Sequence, residues 1–160
     1  MIVEETKPVI YILIGIPASG KSTWLDKQDM TNAVIINVDL YIEKSAKAQG
    51  LTYSEVFPGE IKNAMVQSKR DLLSALRTGK NIYVDQTNLT VQSRKQKLDQ
   101  VPKGYIKIAV IFPAPNDEEL QRRLDNRPGK NLPDHVMRMM KNNFSYPRRG
   151  EGFDKVITIK

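Results

Sequence analysis

VIYILIGIPASGKST, residues Val9 to Thr23, decides how the rest of the chain is read. An apolar run rich in β-branched side chains, Val9–Gly15, meets a turn of small residues and then a polar stretch of helical character. The turn fits G-x-x-x-x-G-K-[ST] at every fixed position, with Gly15, Gly20, Lys21 and Ser22. Small residues at Gly15, Ala18, Ser19 and Gly20 let the backbone curl until successive N–H groups point inward at an anion. Lys21 then reaches the β- and γ-phosphates of a nucleotide. The Ser22 hydroxyl, with Thr23 next to it, is placed to coordinate Mg2+. A strand before and a helix after are the context that separates such a cradle from a chance match. The expected ligands are therefore ATP and Mg2+.

Outward from this turn, short apolar runs alternate with longer amphipathic stretches. The further runs are Val34–Val38, Asn81–Asp85, Tyr105–Phe112 and Lys155–Ile159. Most are continuous rather than alternating, as strands of a parallel sheet buried on both faces would be. Helices are predicted over Gly20–Gln28, Leu40–Gln49, Glu60–Thr78, Val91–Gln100, Asp117–Asn126 and Asp134–Asn143. Pro58-Gly59 and Gly79 punctuate the third of these, Thr90 and Asn116 can cap the fourth and fifth, and Pro133-Asp134 opens the last. The reading is one α/β domain over residues 1–160, with a parallel sheet of about five strands flanked by helices.

The chain has 160 residues, 40% hydrophobic and 27% charged, within ordinary globular usage. Having no cysteine, it excludes a disulfide scaffold, a thiolate zinc site and a cysteine nucleophile. A single histidine, His135, leaves little for a His-cluster metal site or a Ser-His-Asp triad, and it reads as a surface residue. Val9–Ile16 is too short to span a membrane and follows Glu4 and Glu5, not the basic flank of a signal peptide. A soluble, cytoplasmic protein without a membrane partner is expected. Its net charge is +7, and the pI is near 9.6. Residues 1–80 hold ten basic against nine acidic side chains, residues 81–160 fifteen against nine. A basic second half suits a polyanionic partner or phosphate-rich substrate. Arg94, Lys95, Lys97, Arg148 and Arg149 are its candidate phosphate contacts.

Two carboxylates end apolar runs, Asp39 in VIINVD and Asp85 in NIYVDQTN. Ligands collect outside the C-terminal ends of strands in an open parallel sheet, so both should face the cradle. One could help hold Mg2+ and the other take a proton from an acceptor hydroxyl. Alternatively, Asp39 caps the following helix and Asp85 closes an Asx-turn. Arg123 and Arg127, four apart, lie on one helical face before the loop Pro128–Asn131, where a lid would carry them to a γ-phosphoryl group. Pairing of Glu119 with Arg123 and Glu118 with Arg122 would instead make surface ion pairs.

Taken together, GIPASGKSTW (15–24), INVDLY (36–41), DQTNL (85–89), RRLDNRPGKNLP (122–133) and the tail NNFSYPRRGEGFDKVITI (142–159) resemble the polynucleotide 5′-hydroxyl kinases. The resemblance covers essentially the whole chain. It implies a P-loop kinase fold with a helical lid and transfer of a phosphoryl group from ATP to the 5′-hydroxyl of a DNA or RNA end. By it, Lys21 and Ser22 match the ATP and Mg2+ residues and Asp39 the general base. Asp85 matches the acid of a D-x-T-N segment, Arg127 the lid arginine on the transferring phosphate, and Arg123 its companion. The ATP contacts would be Gly15, Ala18, Ser19, Gly20, Lys21, Ser22, Thr23, Arg123 and Arg127, and the metal ligands Ser22 and Asp85. In the family an arginine directly precedes the base, and the phage member adds another three residues after it. Val38 and Ile42 stand there in this chain. Other acceptors stay open on that ground: a modified base in DNA, a tRNA-borne hydroxyl or a small metabolite. A nucleotide-binding regulatory switch is the reading without transfer.

Overall fold

In the computed structural model, which describes residues 6–127, 129–130 and 132–160, β1 (Val9–Ile14) lies at the centre of a parallel sheet. It is flanked by β3 (Asn81–Val84) and β4 (Ile106–Ile111), with β2 (Ala33–Ile36) and β5 (Lys155–Thr158) outside them. The order is β2-β3-β1-β4-β5, all parallel. Ile12 pairs with Val84 on one side and with Ala109 on the other, and all three are fully buried. That burial on both faces is why β1 reads as a continuous apolar run. By contrast, β5 is largely exposed at the edge, with Val156 51% exposed, so its run is not a two-faced core strand.

One face of the sheet packs Ile10, Ile12, Ile14, Ile82 and Val84 against Leu72 and Leu76 of α3 (Tyr53–Arg77). The other gathers Leu13, Val110 and Phe112 under an aromatic group, in which Tyr11 and Tyr83 stack at 4.6 Å and Trp24 meets both edge-on. Trp24 belongs to α1 (Lys21–Leu25), shorter than the helix predicted there. Among the described residues no helix is long and apolar enough to cross a membrane.

Two helix starts differ from the sequence reading. α3 begins at Tyr53, not at Glu60, and Pro58 lies inside it. Thr52 accepts the Glu55 N–H while the Glu55 carboxylate accepts the Thr52 N–H, a reciprocal box that starts the helix upstream of the proline. Pro58 sits near enough to this end that the helix gives up a single backbone bond. α2 (Val38–Gln49) begins two residues early because Asn37 caps it, accepting the Asp39 N–H at 2.7 Å. Thr90 and Asn116 do cap α4 (Val91–Leu98) and α5 (Asp117–Asp125), and Pro133 opens α6 (Asp134–Asn143). His135 is exposed, as expected.

Arg94 is not a surface cation. It is fully buried and pairs with Glu151 through Nε to Oε1 at 2.8 Å and Nη2 to Oε2 at 3.2 Å. Its Nη1 also donates to the carbonyls of Asn88 and Ser145. Glu151 in turn accepts the Arg148 N–H, so the C-terminal loop is pinned to α4. Glu151→Gln, which leaves the buried guanidinium without its countercharge, is expected to cost about 3 kcal/mol. In thermal denaturation this should read as a Tm lower by roughly 6–12 °C. An unchanged Tm would show the pair to be dispensable.

Candidate active site

The sheet order places β3 directly beside β1, so the segment after β3 runs alongside the glycine-rich turn after β1. Gly15 donates its N–H to the Thr87 carbonyl at 3.0 Å. Asn88, buried and with φ of 48°, donates from Nδ2 to the Leu13 carbonyl at 2.7 Å. In the DQTN segment, therefore, Asn88 ties the ends of the two central strands together, leaving Asp85 half-buried at the cleft.

The turn itself is tight. A Cβ on Gly15 would come within 2.5 Å of Ser19 Oγ and 3.0 Å of Phe112 Cβ, so only glycine fits. Ala18 adopts a left-handed φ of 64° and Gly20 one of 103°. The Ala18 carbonyl accepts Arg123 Nη1 at 3.0 Å, which braces the strained residue. Lys21 Nζ donates to the carbonyls of Gly15 and Ile16 at 2.8 and 2.9 Å. Burial lowers its pKa to about 8; Asp85 favours the ammonium, Arg127 opposes it and Asp39 favours it. Ser19 Oγ is buried with no hydrogen-bond partner among the described residues.

Across the cleft stand two carboxylates. Asp85 accepts Asn37 Nδ2 at 2.8 Å. Desolvation pushes its pKa up, against the opposing pull of Lys21 and of the Asn37 bond. Asp39 sits half-buried in the first turn of α2, and its Oδ1 accepts the Tyr53 hydroxyl at 2.6 Å. It is not the cap of α2, because Asn37 fills that role. Among the described residues the Asp85 carboxylate accepts from Asn37 and from no local backbone N–H, so no Asx-turn accounts for it.

From the far wall come the arginines. Glu119 pairs with both Arg122 and Arg123, so the expected Glu118–Arg122 pair is replaced by one carboxylate bridging two guanidiniums. Arg127 follows α5, half-buried, and lines the same cleft as Lys21, Asp39 and Asp85, about 1850 Å³ in volume. Of the loop predicted as a lid, Pro128 and Asn131 lie outside the described residues, whereas Gly129 and Lys130 lie within them. Lys130 pairs with Glu43 and sits 4.8 Å from the centre of the Tyr53 ring.

Residues 10–147 match the family described as AAA domain, which takes in the glycine-rich turn, both carboxylates and both arginines. The chain belongs to this family. Within this AAA domain family the resemblance read from the motifs also stands. The chain is 31% identical over 156 residues to the bifunctional polynucleotide phosphatase/kinase of Schizosaccharomyces pombe, covering 94% of this chain and 33% of that protein. It is 28% identical over 166 residues to human heterogeneous nuclear ribonucleoprotein U-like protein 2, covering 96% and 21% respectively. A chain in the structure of the Pnkp1/Rnl/Hen1 RNA repair complex shares the fold, with a TM-score of 0.67 at 23% identity over 87% of this chain and 44% of that one. The chain thus spans about a fifth to a third of the length of these curated relatives. Its architecture is that of a P-loop kinase of the polynucleotide-kinase type.

Of the residues expected at the nucleotide site, Ala18 through Thr23, Asp39, Asp85, Arg123 and Arg127 line one cleft, and Gly15 is tied beneath it to the Thr87 carbonyl. Two that matter to its geometry had no role assigned from the sequence. Tyr53 and Asn88 act through tertiary contacts with no local signal, although the Asn in DQTN was quoted. Lys97, offered as a surface phosphate contact, is instead mostly buried, donates to Asn88 Oδ1 at 2.5 Å, and has its pKa lowered to about 8 by that burial. Ile42 is fully buried between α2 and α3 with Ala46, Val56 and Ala64, so position 42 turns away from the cleft, while Val38 lines it.

Proposed function

We propose that this P-loop kinase transfers the γ-phosphoryl group of ATP to the 5′-hydroxyl of a DNA or RNA end. The observation that carries the reading is the convergence of Lys21, Asp85, Asp39 and Arg127 on one cleft at the C-terminal edge of the sheet. A desolvated ammonium beside loop amides suits a polyphosphate. The Ser22 hydroxyl and the Asp85 carboxylate offer the hard oxygen donors that Mg2+ takes alongside phosphate and water. Mg2+, when bound, would offset the negative charge of the β- and γ-phosphates.

In this reading, Lys21 turns from the Gly15 and Ile16 carbonyls to the β- and γ-phosphates. Asp39 accepts the proton of the acceptor hydroxyl as its oxygen bonds to the γ-phosphorus and the bond to the β–γ bridging oxygen breaks, releasing ADP. Arg127 faces the charge that develops on the transferring group, and Arg123 holds the loop in shape through the Ala18 carbonyl. The names of the relatives, a polynucleotide phosphatase/kinase and a ribonucleoprotein, support a nucleic-acid acceptor. Contacts to it would come from exposed Arg148 and Arg149 and not from buried Arg94. A second reading, another hydroxyl as acceptor, draws on Val38 and the buried Ile42, which stand where the family has an arginine before the base and the phage member a second one after it.

The test is transfer from γ-labelled ATP to a panel of 5′-hydroxyl oligonucleotides, modified-base DNA, nucleosides and polyols. Label on the oligonucleotide end is expected; label on a polyol alone would favour the second reading. The protonation of Lys21 adds a pH signature. The free protein loses this ammonium above about pH 8, so kcat/KM for ATP should fall above that pH. Bound phosphates favour the charged form, which puts the fall in kcat at higher pH. A flat kcat/KM from pH 7 to 9.5 would contradict the role given to Lys21.

A further inference from the structure

Tyr53 is the first residue of α3, and the Thr52–Glu55 capping box fixes where that helix begins. Its hydroxyl donates to Asp39 Oδ1 at 2.6 Å. Its ring packs on Phe57 one turn along, with centroids 5.7 Å apart. The opposite contact is Lys130, whose ammonium lies 4.8 Å from the ring centre and pairs with Glu43, one helical turn after Asp39. The backbone joins in: the Ser54 N–H donates to the Gly129 carbonyl at 3.1 Å. Gly129 holds a φ of 75°, and a Cβ there would press to 3.3 Å from Thr52 Cβ, so Gly129 lies close against the start of α3.

One side chain therefore touches both the carboxylate read as the base and the loop that follows Arg127. We propose that Tyr53 is a positioning residue that ties the orientation of Asp39 to the docking of Gly129 and Lys130 on the start of α3. The inference rests on the kinase reading above. With Oδ1 held by the tyrosine, Oδ2 is the oxygen left for the acceptor proton. The Lys130 N–H also donates to the Arg127 carbonyl at 3.2 Å, which links the docked lysine to the arginine at the cleft. Burial, the Asp39 hydrogen bond and the Asp39 charge all raise the Tyr53 pKa, so the hydroxyl stays a donor across the working range. A base oriented only when the arginine-bearing loop is docked would limit proton abstraction in an open cleft.

Tyr53→Phe keeps the ring and removes the donor, and Lys130→Met removes the cation while leaving the hydroxyl bond in place. Each is expected to lower kcat for transfer by about tenfold to a hundredfold, with KM for ATP within about twofold of wild type. The double variant should lose little more than the worse single one, because both act through Asp39. Wild-type kcat in Tyr53→Phe, or losses that simply multiply, would overturn the proposal. Amide hydrogen exchange of the 52–56 peptide supplies a reading independent of turnover. Lys130→Met and Tyr53→Ala should speed its exchange, whereas Tyr53→Phe should not. Unchanged exchange in both of the first two would remove the tie between ring and loop. A wild-type protein that labels no acceptor but shows the expected exchange would overturn the kinase reading and the role given to Asp39, leaving only the docking contact.

Discussion

Arg127→Ala should lower kcat by at least two orders of magnitude while KM for ATP rises only a few-fold. In the proposed reaction the guanidinium would meet charge that grows as the γ-phosphoryl group leaves its bridging oxygen, so its interaction would be stronger in the transition state than in the ground state. Lys21 and the backbone cradle still hold the nucleotide, which keeps the loss out of KM. Lysine at this position should restore activity only in part, since a point charge cannot reproduce a planar fork of donors. Arg122→Ala is the control. Arg122 shares Glu119 with Arg123 on the exposed side of α5, and an exposed ion pair of this kind is worth a few tenths of a kcal/mol. Steady-state kinetics on the three variants decide the matter. Equal and small effects from Arg127→Ala and Arg122→Ala would remove the loop from the chemistry.

Asp39→Asn should lower transfer by about 10²–10⁴, the range that a positioned general base contributes. Asparagine fits the same space, and its Oδ1 can still accept the Tyr53 hydroxyl, but it cannot take the acceptor's proton. Stability should hardly change, because the cap of α2 is Asn37 and not Asp39. Asn37→Ala is the complementary variant. It removes both that cap and the hydrogen bond to Asp85, so it should lose about 1 kcal/mol or more of stability. Kinetics and thermal denaturation on the pair separate the two roles. An Asp39→Asn protein with full activity and a lowered Tm would make the residue structural.

The glycine-rich turn was legible because its chemistry lies in contiguous residues: the spacing of Gly15, Gly20, Lys21 and Ser22 is set by covalent geometry. The central strands β1, β3 and β4 were legible for a similar reason, since burial on both faces writes itself as an unbroken apolar run. Asp39 and Asp85 could be placed at strand ends from those runs alone. The start of α3 was readable too, as Thr52 and Glu55 form the capping signature, but Pro58-Gly59 carries the stronger local signal against a helix. Burial of a charge was not readable. Arg94 meets Glu151 across 57 residues, and nothing in either neighbourhood distinguishes that arginine from Arg148 or Arg149, which are exposed. Tyr53 meets Asp39 across 14 residues through the packing of α2 on α3, which no single-helix pattern encodes. Composition reports how much charge a chain holds, and only the fold decides which of it reaches solvent.

The proposed reaction moves a phosphoryl group from ATP to a nucleic-acid hydroxyl in this cleft. Its most direct measurement is single-turnover transfer from γ-labelled ATP, with Mg2+, to a 5′-hydroxyl oligonucleotide by the wild-type chain and by Lys21→Ala. Label at the 5′ end is expected with the wild-type protein, and a rate lower by about 10²–10³ with Lys21→Ala. Labelled inorganic phosphate as the sole product, or equal transfer by the two proteins, would contradict it.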